Sequence, residues 1–148
     1  MKKSSFKVDT PDKSSGFLLW QVTTLWQREI KSALEDVELS HSAFVILASL
    51  LWFKEHSKSV TQTTIIEHTK LDKMTVSKSL KSLEQKEFVM SREDKTDTRA
   101  KSINLTKEGE KLTKKAIKIV EKVDASFFAS LSNDEQQSLN KLFKKLHV

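Results

Sequence analysis

The chain has 148 residues, 37% hydrophobic and 31% charged, with only 2 Gly and 1 Pro; that is enough for one domain with a real core, and it leaves little material for Gly-rich phosphate loops or runs of tight hairpins. There is no Cys, which excludes disulfides, thiolate metal centres, iron–sulfur clusters and thiol redox sensing, and suits a cytoplasmic location. Net charge is +6, but residues 17–69 carry 4 Lys+Arg against 6 Asp+Glu, so the positive charge sits mainly in the second half, as a polyanion partner would favour.

Residues 1–14 read as a flexible polar arm with no secretory h-region. From Gly16 to about Val37, apolar residues recur at Leu19, Val22, Trp26, Ile30, Ala33 and Val37, the spacing of one helical face. Ser40 can cap a second helix to about Lys54 that is apolar nearly all round, and so buried. Its apolar run, Ala43–Phe53, is too short to span a bilayer. Thr61 can cap a short third helix to about Lys70, and Asp72 a fourth to about Lys86. The period then changes. Phe88–Arg92 and Ser102–Leu105 read as strands joined by the polar segment Glu93–Arg99, a β-hairpin with a charged tip. Thr106 can cap a long helix with Leu112, Ala116, Ile119, Val123 and Phe127 on one stripe. Ser132-Asn133-Asp134-Glu135 is a capping box for a last helix carrying Leu139, Leu142, Phe143 and Leu146. Two short helices and a hairpin thus form a compact unit over 40–106. The flanking helices, 16–38 and 107–147, bear apolar stripes that a second copy of the chain would cover.

On the fourth helix, Val76, Leu80 and Leu83 share one face at about 100° per residue. Met74, Lys78 and Lys81 lie opposite, with Thr75, Ser77 and Ser82 on the flanks and no acidic residue from Lys73 to Lys81. A solvated helix face is the commoner source of such a pattern, yet this one suits a major groove. Lysines reach phosphates or guanine acceptors, hydroxyls bond base edges or phosphates, and Met touches a thymine methyl. The preceding short helix completes a helix-turn-helix. At the hairpin tip, Arg99 can enter a minor groove, held in place by Asp97, or the two can be incidental charges of a solvated turn.

The segment Asp97-Thr98-Arg99-Ala100-Lys101-Ser102-Ile103-Asn104-Leu105-Thr106-Lys107-Glu108-Gly109 resembles the wing signature of the MarR (multiple antibiotic resistance regulator) family: D-x-R, three residues, an aliphatic, one residue, L-T, two residues, G. Leu39-Ser40 resembles that family's second-helix start. Thr75-Val76-Ser77-Lys78 with Leu80, Leu83 and Glu84 resembles its recognition helix. The match spans roughly residues 17–147. The resemblance implies a mainly α fold with a small β-hairpin wing, that is, a winged helix-turn-helix with N- and C-terminal dimerisation helices. It implies a homodimeric, sequence-specific regulator on a pseudo-palindromic operator, read as a repressor, with the fourth helix in the major groove and Arg99 in a flanking minor groove. It also implies a small-molecule effector between the dimer helices and the DNA-binding lobe. Two positions depart from the family pattern. Glu87 stands where the family often has Gly before the first wing strand, so that turn must avoid positive φ or accept strain. Thr98 replaces the first Arg of the wing's usual D-R-R.

The expected roles are base-edge or nearby phosphate contact by Met74, Thr75, Ser77 and Lys78, phosphate contact by Lys73 and Lys81, and minor-groove reading by Arg99 supported by Asp97. Trp20, Trp26 and Trp52 can line an aromatic effector pocket, although core and interface are the commoner roles for such residues. His41, His56, His68 and His147 have no metal-binding spacing, and neither a metal nor a cofactor is expected. No hydrolase, kinase or zincin motif occurs, so an enzyme is disfavoured. The alternative is a winged-helix protein-interaction adaptor with only non-specific DNA binding; the cationic fourth helix argues against it.

Overall fold

The computed structural model describes residues 3–93 and 100–147. The elements in chain order are α1 (Ser15–Leu34), α2 (His41–Glu55), α3 (Gln62–Thr69), α4 (Lys73–Gln85), β1 (Val89–Glu93), β2 (Lys101–Leu105), α5 (Lys107–Phe127) and α6 (Asn133–Leu146), with 3-10 turns at Pro11–Lys13 and Glu35–Val37. The expected fold class is the one observed. No single described helix is long and apolar enough to cross a membrane.

Every expected N-cap is in place. The side chains of Ser40, Thr61, Asp72, Thr106 and Ser132 accept from the backbone N–H three residues on. Each satisfies one orphan donor of its helix. Ser132 and Glu135 form the expected reciprocal box, and Thr61 forms a second one with Thr64. In the segment read as an arm, Ser14 caps α1.

The ends of the first four helices share a feature that composition did not reveal. Glu38, Ser57, Lys70 and Glu87 all adopt left-handed backbone, with φ of 56°, 53°, 64° and 63°. Around Glu38, Leu39 N–H donates to Leu34 O. Around Ser57, Lys58 N–H donates to Phe53 O. Around Glu87, Phe88 N–H donates to Leu83 O at 2.9 Å. These six-to-one bonds are Schellman closures, usually built on Gly. Two expected boundaries are corrected. The first helix ends at Leu34 rather than Val37, and β1 begins at Val89 because the Phe88 N–H closes α4. Glu87 resolves the open question of its turn by accepting positive φ. Glu87→Gly should therefore raise stability by about 1 kcal/mol, the left-handed penalty less glycine's unfolded-state entropy. Urea unfolding checks this.

The core surrounds α2, whose Ile46, Leu47, Leu50 and Leu51 are buried against α1, α3, α4, α5 and β2. Val76, Leu80 and Leu83 of α4 join it, as does Ile65 of α3. β1 and β2 pair antiparallel, Val89 opposite Leu105 through Glu93 opposite Lys101. Ile103 N–H also donates to Val60 O at 2.7 Å, tying the hairpin to the α2–α3 connection. On α5 the buried line is Gly109, Thr113, Ala116 and Val120. Of the expected stripe, Ala116 is buried, while Leu112, Ile119, Val123 and Phe127 are half-buried. The seam holds a Gly and a Thr because α5 approaches other backbone closely there; Thr113 Oγ1 donates to Gly109 O at 2.7 Å, so its burial is satisfied.

Within one chain, α1 and α6 are poorly covered. Phe17, Leu18, Leu19, Trp20, Val22 and Leu25 of α1 are exposed, as are Leu142, Phe143 and Leu146 of α6. No residue of α6 is buried.

Candidate nucleic-acid interface

α4 is fixed by its buried Val76, Leu80 and Leu83. Its other face is open: Lys73, Met74, Ser77, Lys78, Lys81 and Ser82 are exposed, and Thr75 is half-buried. Met74 is 69% exposed, a large apolar side chain in water with no core role. Asp72 caps the helix and also holds the Thr75 side chain: its Oδ1 accepts from Thr75 N–H and its Oδ2 from Thr75 Oγ1, both at 2.8 Å. The Thr75 N–H, then its hydroxyl, hold the Asp72 carboxyl below the usual carboxylate range, so the cap stays ionised at neutral pH.

α3 packs behind α4, and one contact joins their exposed ends. Gln62 Nε2 donates to Ser77 Oγ at 2.7 Å. Sequence reasoning did not single out Gln62, because the contact spans fifteen residues and has no local signature. It also passed over Lys86. With Lys78, Ser79 and Ser82, this side chain lines a cleft of about 300 Å³ against Leu39, Ser40 and Ala43 at the start of α2. The hairpin stem presents exposed Arg92 and Lys101 on its two strands. Asp97 and Arg99 lie outside the described residues.

The base of the wing explains part of its signature. Thr106 Oγ1 donates to Glu87 O at 2.7 Å and accepts from Gly109 N–H at 3.0 Å, while Thr106 N–H donates to Phe88 O at 3.1 Å. The Leu-Thr-x-x-Gly portion thus locks α5 to the end of α4 and orients the hairpin.

The three tryptophans stand apart. Trp20 is 70% exposed on α1. Trp52, at the far end of α2, stacks on His56 at 4.0 Å between ring centroids and on His68 at 6.0 Å. Trp26 alone links three helices: its Nε1 donates to Asp124 of α5 at 2.8 Å, and its ring meets His41 of α2 edge-on at 5.0 Å. Among the described residues, no ring contact joins one tryptophan to another. No group of three or more described His, Asp and Glu side chains gathers in a metal-binding arrangement.

Burial lowers the pKa of His41 from its ordinary value, and the Asp124 charge opposes this more weakly. A folded-state pKa below the unfolded one means that the unfolded chain binds the extra proton first. Stability is then complete above the usual imidazole range and falls as pH drops through that range to the lowered folded value. The unfolding midpoint should be lower at about pH 5 than at about pH 7.5, and His41→Phe should flatten that part of the slope.

Comparison with known proteins agrees with this fold. The family model described as ArnR1-like, winged-helix domain matches residues 35–123. The uncharacterized HTH-type transcriptional regulator YdcH of Bacillus subtilis is 36% identical over 129 residues, covering 87% of this chain and 88% of that protein. The fold matches that of a mutant Escherichia coli MarR complexed with operator DNA, with a TM-score of 0.77 at 20% identity over 88% of this chain and 91% of that one. It also matches Bordetella bronchiseptica BpsR, a protein whose DNA binding is regulated by 6-hydroxynicotinic acid, with a TM-score of 0.82 at 21% identity over 91% and 94% of the two chains. The chain therefore belongs to the ArnR1-like winged-helix family, among the HTH-type DNA-binding transcriptional regulators, and its resemblance to the MarR family stands.

Proposed function

We propose that the protein is a homodimeric repressor that binds an inverted-repeat operator and releases it when a small molecule binds. The observation that carries this is α4: a helix anchored by three buried residues, with Lys73, Met74, Ser77, Lys78 and Lys81 exposed and no acid between Lys73 and Lys81. Such a face brings three lysines to a polyanion and offers both donors and an apolar tip to base edges. Met74, Thr75, Ser77 and Lys78 would face bases or nearby phosphates. Lys73 and Lys81 would hold phosphates, and Arg99 with Asp97 would take the minor groove. The lobe is residues 40–106. The bare apolar faces of α1 and α6 would pair with those of a second copy, placing two α4 helices on successive turns of one duplex face. Repression follows from occupying that much promoter surface. Of the three tryptophans, Trp26 is best placed for an effector to act, since it joins α1 and α5 to the start of α2.

The test is selection of bound fragments from random duplex DNA by the purified protein. An inverted repeat with half-sites about one helical turn apart is the expected result. Recovery of no motif, with binding lost at moderate salt, would leave the adaptor with only non-specific DNA binding. On the recovered site, Arg99→Ala should cost about 1–3 kcal/mol. Lys81→Ala should weaken all DNA alike and reduce the salt slope by roughly one. If both variants lowered every sequence equally, the separate roles would be wrong.

A further inference from the structure

Two hydroxyls flank the outer face of α4, and each is already engaged by a neighbour of fixed chemistry. A hydroxyl has one proton to give and two lone pairs to receive. Thr75 gives its proton to Asp72 Oδ2 at 2.8 Å. Asp72 is exposed, ionised and acceptor-only, so this proton has no reason to turn elsewhere. Thr75 is left able only to accept. Ser77 is the reverse case. Its oxygen receives a proton from Gln62 Nε2 at 2.7 Å, which leaves its own proton free to donate. The two residues lie on opposite flanks of α4, roughly 160° apart across the outer face.

We propose that Asp72 and Gln62 are positioning residues that preset opposite hydrogen-bond polarities on Thr75 and Ser77, so that α4 selects an amino-bearing base on one flank and a keto-bearing base on the other. In the major groove, adenine N6 and cytosine N4 carry donors, whereas guanine O6 and thymine O4 are acceptors. An accept-only Thr75 takes adenine over guanine, or cytosine over thymine. A donating Ser77 takes the opposite member of each pair. Neither Asp72 nor Gln62 need touch a base for its identity to be read out in the operator. The inference rests on α4 entering the major groove as proposed above.

The polarity can be inverted without changing shape. Asp72→Asn keeps the cap, since Asn caps as well as Asp, but its amide can donate to Thr75 Oγ1 and so frees the Thr75 proton. Gln62→Glu replaces the donating amide with an oxygen that takes the Ser77 proton. The experiment is fragment selection from random duplex DNA with the wild type and both variants. Thr75→Val and Ser77→Ala mark which operator position each hydroxyl reads. The expected result is a change of base preference at one position per half-site and nowhere else. Asp72→Asn should move the Thr75 position from amino- to keto-bearing bases, and Gln62→Glu the Ser77 position from keto to amino, each by about fivefold in relative enrichment. Each variant also changes the charge, so overall affinity will shift; only base preference tests the idea. Preferences that stay the same in both variants, or a wild-type motif of the wrong polarity at the marked positions, would overturn it while leaving the regulator function intact. A wild type that recovers no motif would overturn both.

Discussion

Replacing Gly109 with Ala is expected to destabilise the protein by about 3 kcal/mol, although Ala is the better helix former by about 1 kcal/mol. A Cβ built on Gly109 falls 1.9 Å from Phe88 O and 2.8 Å from Phe88 C. These are backbone atoms, and they cannot step aside. Phe88 N–H closes α4 onto Leu83 O, and Phe88 O receives Thr106 N–H. Relief therefore requires α5 to move outward, which strains the Thr106 bonds to Glu87 and Gly109. The hairpin leaves from the same joint, so affinity for DNA should fall with stability. Gly16 supplies the control. Nothing lies within 4 Å of a Cβ there, and Gly16→Ala should be neutral or stabilising by up to about 0.5 kcal/mol. Urea unfolding of the two variants gives the comparison. Equal and small effects would mean that α5 does not pack on the wing base as closely as described.

Leu19→Glu should have the largest effect on binding with the least effect on folding. Leu19 is 54% exposed in the single chain, so a carboxylate there meets water, not core. Across a dimer interface, two such charges would be buried near one another and unpaired, at a cost of several kcal/mol. Sedimentation should then show a monomer with an unchanged unfolding profile. Operator affinity should fall by about 10²–10⁴-fold, because the second half-site contact is no longer intramolecular. A variant that stays dimeric and binds as before would show that the apolar face of α1 is not the joint between copies.

The parts of the fold that could be read directly share one physical property: they are local. An N-cap is a side chain bonded to the N–H three residues later, so Ser40, Thr61, Asp72, Thr106 and Ser132 announce themselves. The cationic face of α4 follows from 100° per residue alone, and the wing was visible as a change of period from helical to alternating. Failures came where distant atoms decide. The left-handed residues Glu38, Ser57, Lys70 and Glu87 carry no Gly signal. Each ends a helix and turns the chain into the next element, against a local penalty of about 1–2 kcal/mol. Trp20, Trp26 and Trp52 share a residue type, yet among the described residues no ring contact joins one to another, because residue type does not fix which neighbours a side chain meets.

By itself the amino-acid sequence pointed to the class of partner and to α4 as the proposed helix to meet it: charge, the absence of acids between Lys73 and Lys81, and cap spacing are properties of the chain that no packing can alter. Only the tertiary structure decided which polar groups are free to use. Gln62 reaches Ser77 and Asp72 captures the Thr75 proton through specific distances, and Gly109 is indispensable only because the Phe88 carbonyl stands beside it. Hydrogen bonds and steric contacts act over about 3 Å. The former pair must therefore be seen in space before the donor and acceptor pattern offered to DNA can be stated.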